Sequence, residues 1–312
     1  MRPPALPDTL EWPTLGLLAG LYGAWLGLVW FHAALPPWLW LPLAAIASAW
    51  WGSVQHELIH DHPTRSRRLN RALGTPPIWL WLPFERYRRT HLTHHRDERL
   101  TDPLDDPESR YWTPDCWRQI GAVGRMLGQT QATLAGRLLL GPFWAIGRFW
   151  QQEALAILSG NRAAAGAWAW HALWVVLLLG FALGVAGLPL WQYLAGFVWG
   201  GTALSLIRSF AEHRAHAEPE RRTAIVENSW LLGPLFLFNN LHAAHHRWPS
   251  LPWYRLPATY RAHRAELLRR NGGLVYDGYG DVFRRFLSRP HDTPVHPTGR
   301  APGRGAAQPG EA

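Results

Sequence analysis

The stretch NNLHAAHHRWPSLPWYRLP, residues 239–257, places three histidines within five positions. His242, His245 and His246 follow the spacing i, i+3 and i+4, which brings side chains to one face of a helix. Imidazole is the commonest metal ligand among protein side chains. This triplet therefore indicates a metal site, but three histidines alone are weak support and the rest of the chain must supply their partners.

Two earlier clusters have matching spacing. HLTHH (91–95) repeats the triplet pattern, and HELIH (56–60) places two histidines four residues apart on one helix face. We name these segments box 1 (56–60), box 2 (91–95) and box 3 (242–246). The segment RSFAEHRAH (208–216) adds His213, which we favour over His216 because Glu212 precedes it.

The predicted metal ligands are therefore nine histidines. They are His56, His60, His91, His94, His95, His213, His242, His245 and His246. A catalytic zinc uses three protein ligands and a structural zinc uses four, so nine imidazoles exceed the needs of one ion. They suit two ions with four or five nitrogens each. Imidazole binds iron, copper, zinc and nickel alike, so the ligands do not choose the metal.

Four apolar runs surround the boxes, at 15–31, 38–54, 167–186 and 188–207. Each is close to the roughly 20 residues that a helix needs to cross a bilayer. The short turns between them, at 32–37 and 187–189, pair the runs into two hairpins. The sequence thus predicts an all-α integral membrane protein, with four transmembrane helices under a helical cytoplasmic cap that carries the boxes.

Arginine sets the predicted orientation. Residues 55–165 and 208–304 contain fifteen arginines each, whereas the two turns contain none. By the positive-inside rule, the boxes and both termini face the cytoplasm, and we expect the inner membrane of a bacterium. The formal charge of +9 is explained by this topology, so no nucleic-acid partner is expected. The lone Cys116 excludes an internal disulfide.

The three boxes, followed by PWYRLP at 252–257, resemble the membrane fatty-acid desaturase superfamily. That superfamily also includes di-iron hydroxylases and carotenoid oxygenases. The resemblance implies one domain over residues 1–292, in which the nine histidines hold two non-haem iron ions and O₂ is a co-substrate. It assigns catalysis to the eight box histidines. The Pro-, Gly- and Ala-rich segment 293–312 is predicted to be a disordered tail.

The resemblance implies desaturation of a fatty acyl chain, and two alternatives stay open. Glu57 in box 1 and the pair Glu212–His213 are similar to alkane hydroxylases, so hydroxylation or ketolation of a lipid, alkane or carotenoid is the first alternative. Box 1 also satisfies HExxH, the signature of zinc metalloproteases. A membrane zinc protease is the remote alternative, because it leaves five or six histidines without a role.

The chain carries no flavin or dinucleotide fingerprint and no cysteine set for an iron–sulfur cluster. A separate electron donor, a ferredoxin or a reductase, is therefore expected beside a lipid substrate. Its candidate contacts are Arg86, Arg88, Arg89 and Arg247.

Other side chains are assigned supporting roles. The candidate hydrogen-bond partners of the ligands are Glu57, Asp61, Glu212, Asn239 and Asn240. The tryptophans expected near a substrate tunnel are Trp51, Trp79, Trp81 and Trp248. The acidic run 96–109 is expected to be a solvated loop. The histidines expected not to bind metal are His32, His62, His171, His263, His291 and His296, of which the last three are predicted to be solvated.

Overall fold

A computed structural model describes residues 7–297, without the side chain of Asp97. The α-helices in this range begin with α1 (Trp12–Trp30), α2 (Pro37–Ile59), α3 (Arg67–Gly74), α4 (Phe84–His94), α5 (Pro114–Gln119), α6 (Gly121–Gln131), α7 (Leu134–Leu139), α8 (Gly141–Leu158) and α9 (Arg162–Leu179). They are followed by α10 (Leu190–Tyr193), α11 (Gly201–Glu212), α12 (Leu232–Leu235), α13 (His242–Arg247), α14 (Leu256–Arg270) and α15 (Gly278–Phe286). π-Helical runs extend α9 over Gly180–Val185 and join α10 to α11 over Leu194–Gly200.

The all-α prediction is wrong in one detail. Two short strands, β1 (Ile225–Val226) and β2 (Val275–Tyr276), pair in parallel, with Ile225 opposite Val275. The pair joins the segment that follows α11 to the segment that follows α14. The fold is therefore mostly helical, with one small sheet among the described residues. We use the name cap for the described segments 60–161 and 213–297, which contain this sheet.

The first hairpin forms because its turn is short and its two helices are apolar. A 3₁₀ turn, His32–Ala34, joins α1 to α2, and a proline stands in the first turn of each helix, where its missing N–H costs nothing. The indole of Trp40 donates to the carbonyl of Leu28 at 2.8 Å, so the two helices are also tied by a hydrogen bond.

Helix α2 is the centre of the bundle, and small residues let it pack closely. A Cβ atom on Gly196 would lie 2.8 Å from the Cβ of Ala44, and one on Gly200 would lie 2.8 Å from the Cβ of Ala45. Such four-residue spacing of small residues allows two helix backbones to approach in a membrane. Substituting either glycine would therefore push the π-helical run off α2.

Three helical segments are long and apolar enough to cross a membrane, by length and composition. They are Trp12–Trp30, Arg162–Val185 and Leu190–Glu212. Three of the four predicted spans are thus found among the described residues. Helix α2 is 23 residues long but is not one of these segments, and Ser48, Ser53 and Gln55 are buried among its apolar residues. These side chains bond backbone carbonyls inside the protein, so α2 is suited to a position between other helices. The four-span topology remains a prediction.

The predicted disordered tail begins too early. Val295 pairs with Trp112, and His296 is buried against the hydroxyl of Thr101 at 3.0 Å. Residues up to 297 therefore pack on the cap. The rest of the predicted tail, 298–312, lies outside the described residues.

Candidate metal centre

Box 1 stands where α2 ends. His56 lies in its last turn, and His60 is the residue that follows the helix. Asp61 adopts a positive φ of 67°, a conformation that aspartate tolerates better than most residues and that stops the helix. Both imidazoles are buried, with 0% and 1% exposure. The spacing of four residues thus places two buried predicted ligands, His56 and His60, together at the end of α2.

Box 2 lies at the end of α4, with His91 and His94 in the last turn and His95 just after it. The helix is anchored by Arg86, whose guanidinium makes two bonds to the buried carboxylate of Glu153, at 2.6 and 2.9 Å. Paired bonds of this kind fix orientation as well as position. Box 2 is therefore held rigidly against α8.

Box 3 opens α13, and His213 reaches the same place from α11. Leu237 and Phe238 have positive φ angles of 50° and 57°, and this turn lets α13 begin at His242. His213 follows α11 in an extended conformation and pairs with Thr223. His213 joins one of the two groups of converging nitrogens described below, and His216 joins neither.

The structure brings all nine predicted histidines together, in two sets. In each set one ring nitrogen per residue lies within 4.8 Å of the others. The five-histidine set is His56, His60, His91, His95 and His245. The four-histidine set is His94, His213, His242 and His246. Each set mixes residues from different boxes, so neither can form before the cap has folded.

The Nε2 atoms face each other at short range. In the five-histidine set, the Nε2 of His91 lies 3.2 Å from that of His60 and 2.9 Å from that of His95. In the four-histidine set, the Nε2 of His213 lies 3.0 Å from that of His94 and 2.9 Å from that of His242. A neutral imidazole has one donor and one acceptor nitrogen, so these contacts cannot all be satisfied as hydrogen bonds. A cation at the centre of each set would satisfy them.

The electrostatics also suit metal binding. Burial, reinforced by the neighbouring imidazoles, lowers the pKa of His60, His95, His242 and His245 well below the usual histidine range. These rings are therefore neutral, which is the form that binds metal. The buried Nε2 of His56 has no hydrogen-bond partner among the described residues, as expected of a nitrogen kept for an ion. The two sets thus fit two transition-metal ions.

Acidic residues orient the ligands from behind. The Nδ1 of His91 lies 3.1 Å from Glu108, that of His94 lies 3.0 Å from both oxygens of Asp106, and that of His242 lies 3.1 Å from Glu212. At His91 and His94 the carboxylate holds the proton on Nδ1 and leaves Nε2 for a metal. At His242 the hydrogen-bond partner of Nδ1 is the carbonyl of Asn239, at 3.3 Å. Burial alone would lower the pKa of His94, but Asp106 and Glu108 outweigh it and raise the pKa to about 9, so a metal ion must displace a proton from this ring.

Two of the five predicted ligand partners contact a ligand. Glu212 contacts His242, and the amide nitrogen of Asn239 lies 3.0 Å from the Nδ1 of His56. The other three bond residues outside the two sets. Glu57 accepts the N–H of Trp253, Asp61 pairs with Arg67, and Asn240 donates to the carbonyl of Val226.

Asp106 and Glu108 are the partners that the sequence interpretation missed. They lie in the acidic run expected to be a solvated loop. Asp106 is buried, and it accepts backbone N–H groups from Thr101 and Glu108 as well as contacting His94. The available signal was the position of two carboxylates shortly after box 2.

The remaining histidines have other partners. His62 bonds Glu11 at 2.7 Å, His171 bonds the carbonyl of Leu80 at 2.7 Å, and His263 is exposed. His291 was predicted to be solvated, as was His296, and both are buried. His291 packs against Phe210 and bonds Arg110 and Tyr276, so the chain beyond α15 is part of the cap core.

A cavity of about 270 Å³ lies beside the histidines. Its apolar walls include Trp79, Trp81, Trp144 and Phe149. It shares residues such as Glu108 with a pocket of about 70 Å³ that reaches His91, His94, His213 and His242. Of the tryptophans predicted near a tunnel, Trp79 and Trp81 line this cavity. Trp51 packs on Tyr22 instead, and Trp248 packs on His263.

Comparison with known proteins agrees with this site. The sequence model of the fatty acid desaturase family matches residues 32–278, which contain all nine histidines. The chain is also 27% identical over 280 residues to a beta-carotene ketolase from Paracoccus sp. (strain N81106 / MBIC 01143). That alignment covers 82% of this chain and 96% of the ketolase.

Proposed function

We propose that this chain, which belongs to the fatty acid desaturase family, is an O₂-dependent di-iron oxidoreductase that introduces a double bond into a fatty acyl chain. One observation carries the proposal. Of the two sets of converging histidines, His91 and three members of the four-histidine set line a small pocket, and this pocket shares Glu108 and Arg208 with a cavity that has aromatic walls. Membership of the family and the apolar helices make the chain a membrane protein, so a long-chain lipid is the substrate within reach.

Iron is proposed as the metal because of the family, since imidazole ligands alone do not select it. Two irons held by the two sets would supply the activation of O₂ and the removal of hydrogen from an aliphatic carbon. The protein's own residues do the rest. The carboxylates behind His91 and His94 fix the imidazole rings. The walls of Trp79, Trp81 and Phe149 hold an apolar chain and exclude water.

Ketolation or hydroxylation of a lipid is the second candidate. The ketolase that aligns with 82% of this chain supports it, and both reactions begin by removing one hydrogen from carbon. They differ afterwards, since loss of a second hydrogen gives a double bond and addition of oxygen gives an alcohol. A second oxidation at the same carbon, followed by loss of water, gives a ketone. The arrangement of the nine histidines is compatible with either outcome.

The zinc protease alternative is not supported by the position of Glu57. In a protease of the HExxH class this glutamate is the general base beside the metal. Here its carboxylate accepts the N–H of Trp253 at 3.1 Å. Nine converging histidines also exceed the three ligands of a catalytic zinc.

The product of the reaction tests the proposed function. The chain would be expressed in a bacterial host without this activity, and the extracted lipids compared after growth in air and under nitrogen. We expect one new unsaturated isomer of an acyl chain, formed only in air and absent with His94→Ala. A new alcohol or ketone would move the assignment to the second candidate. No O₂-dependent product from an iron-replete protein would reject both.

The orientation is also a proposal: the boxes and both termini face the cytoplasm of a bacterial inner membrane. Cys116 offers a test, because it is partly exposed in α5 of the cap and no other cysteine can react. A membrane-impermeant maleimide should label it in lysed spheroplasts and not in intact ones. Labelling of intact spheroplasts would reverse the orientation.

We also propose that a separate acidic donor, a ferredoxin or reductase, supplies the electrons. Arg86 is corrected as a contact, because it is buried in the Glu153 pair, and Arg88 lies beside Asp61 with 14% exposure. Arg89 and Arg247 are exposed and remain candidates. The stacked rings of His95 and His246, 4.3 Å apart and half-buried, belong to different sets. An electron that arrives at His95 and His246 is therefore close to both histidine sets.

Donor-driven turnover should slow as salt rises, because ions screen charges over about 8–10 Å near physiological ionic strength. Arg247→Gln should slow turnover at low salt and reduce its salt dependence, whereas Arg125→Gln on the exposed face of α6 should change neither. The measurement is the rate of product formation with a purified ferredoxin at several salt concentrations. Turnover with NADH and no added protein would contradict the need for a donor.

A further inference from the structure

Four arginines line the cavity beside the metal centre. Among the described residues, one of them has an ion pair, one has only neutral acceptors, and two have neither an ion pair nor a full set of acceptors. Arg208 pairs with Glu212 at 3.3 Å. Arg110 donates to the carbonyls of Phe210 and His213. The other two arginines, Arg137 and Arg148, form no ion pair with any residue that the structure describes.

The hydrogen bonds of these two side chains are equally sparse. Arg137 makes one, from Nε to the carbonyl of Gln131 at 3.2 Å, and its terminal NH₂ groups have no bond to another described residue. Arg148 makes none within the described chain. A guanidinium carries five N–H donors and stays charged, so a sheltered one without partners is costly. Burial, together with Arg110 and Arg148, lowers the pKa of Arg137 to about 9, in the direction expected for a sheltered cation.

The carboxylates on the cavity wall are already used. Glu108 contacts His91, and Asp292 accepts the hydroxyl of Tyr111 at 2.9 Å. Neither pairs with Arg137 or Arg148. The missing negative charge must therefore come from outside the chain if the two guanidinium groups are to be neutralised.

The two arginines also mark the path between the surface and the metal centre. Arg148 lines the cavity and an outer groove of about 570 Å³ whose walls include Leu104, Phe143 and Leu155. Arg137 lines the cavity and the small pocket at the histidines. A ligand that satisfies both therefore has a charged group at the cavity and an apolar part against the aromatic walls.

We propose that Arg137 and Arg148 form a binding site for the anionic end group of an amphipathic lipid, a carboxylate or a phosphate, whose hydrocarbon chain occupies the aromatic cavity. Arginine binds both groups well because its fork of N–H donors matches their oxygens. An uncharged hydrocarbon would leave both guanidinium groups without an anion. The site rests on the proposed function, because it names the class of substrate that the metal centre would meet.

Binding rather than turnover tests the site. The purified full-length protein, in an uncharged detergent, would be titrated with palmitic acid, hexadecyl phosphate and hexadecanol, which share one hydrocarbon chain. Intrinsic tryptophan fluorescence reports binding, since Trp79, Trp81 and Trp144 line the cavity. We expect the acid or the phosphate to bind about 10- to 100-fold more tightly than the alcohol, as charged hydrogen bonds predict. The tighter of the two identifies the natural end group.

Variants test whether the preference for an anionic probe over hexadecanol depends on the two arginines. Arg137→Gln and Arg148→Gln should each reduce the preference for the anion, while Arg125→Gln, an exposed arginine of α6, should keep it. Equal binding of acid, phosphate and alcohol to the unaltered protein would overturn the site, whether or not the variants fold. So would a preference that survives both cavity variants.

The failure of this site and the failure of the proposed function give different results. Tight anion binding without any O₂-dependent product would keep the site and reject the oxidoreductase. An O₂-dependent product from an uncharged lipid, with equal binding of the three probes, would keep the oxidoreductase and reject the site.

Discussion

His245→Ala and His213→Ala should each abolish turnover and remove one of two iron ions. His245 belongs to the five-histidine set and His213 to the four-histidine set, so each variant damages one site and leaves the ligands of the other. We expect iron to fall from about two to about one per chain, since metal affinity depends on the ligand count. The loss of rate should exceed the about 10- to 100-fold typical for losing a ligand's hydrogen-bond partner.

The measurement pairs metal analysis by mass spectrometry with the rate of product formation, on protein made in iron-replete medium. His216→Ala is the matched control, because His216 lies three residues from His213 but contacts the N–H of Glu218 instead. It should keep both ions and full activity. One zinc per chain, with activity retained after iron removal, would contradict the di-iron assignment.

Eight of the nine converging histidines could be selected from the sequence because their spacing within each box is a local property, whereas His213 was selected because Glu212 precedes it. Residues i, i+3 and i+4 share a helix face wherever the helix lies, so the spacing inside each box was enough to identify its histidines. Which histidines belong to the set of five and which to the set of four could not be predicted. His94 joins box 3 residues and His245 joins boxes 1 and 2, which depends on how α4 and α13 meet in the folded cap.

The role of the acidic run was hidden for a related reason. A solvated acidic loop and a folded one have the same composition. What distinguishes them here is a turn at Thr101, which has a positive φ of 65° and donates its N–H to Asp106. No residue type in the run predicts that turn, since threonine rarely adopts a positive φ. The carboxylate then reaches back to His94 from a position twelve residues later in the chain.

Helix α2 shows what the hydropathy of a sequence does not predict about a helix that is packed between other helices. Its apolar residues predicted a span, and its length agrees, but the structure buries its small and polar residues against neighbouring helices rather than exposing them. Hydropathy measures the preference for lipid, whereas a helix inside a bundle is selected for close packing. A central helix can therefore be less apolar than the helices around it.

Asp106→Asn should lower turnover by about 10- to 100-fold, the usual cost of removing the partner that orients a metal-ligating histidine. Asparagine keeps the size of the side chain and one acceptor oxygen but loses the negative charge that holds the proton on Nδ1 of His94. The ring is then free to rotate or change tautomer, so the four-histidine set should lose iron more readily to a chelator. Product formation and the rate of iron removal measure the two effects.

Glu57→Gln is the control for Asp106→Asn. Both residues are buried carboxylates, with Glu57 inside box 1 and Asp106 shortly after box 2, and of the two only Asp106 contacts the ring of a predicted ligand. Glutamine keeps an oxygen that can accept the N–H of Trp253, so the variant should retain its iron and lose much less activity than Asp106→Asn. A metalloprotease would show the reverse order, since its general base would be lost. If Glu57→Gln is as inactive as His245→Ala while still folded, the general-base role returns and the oxidoreductase assignment fails.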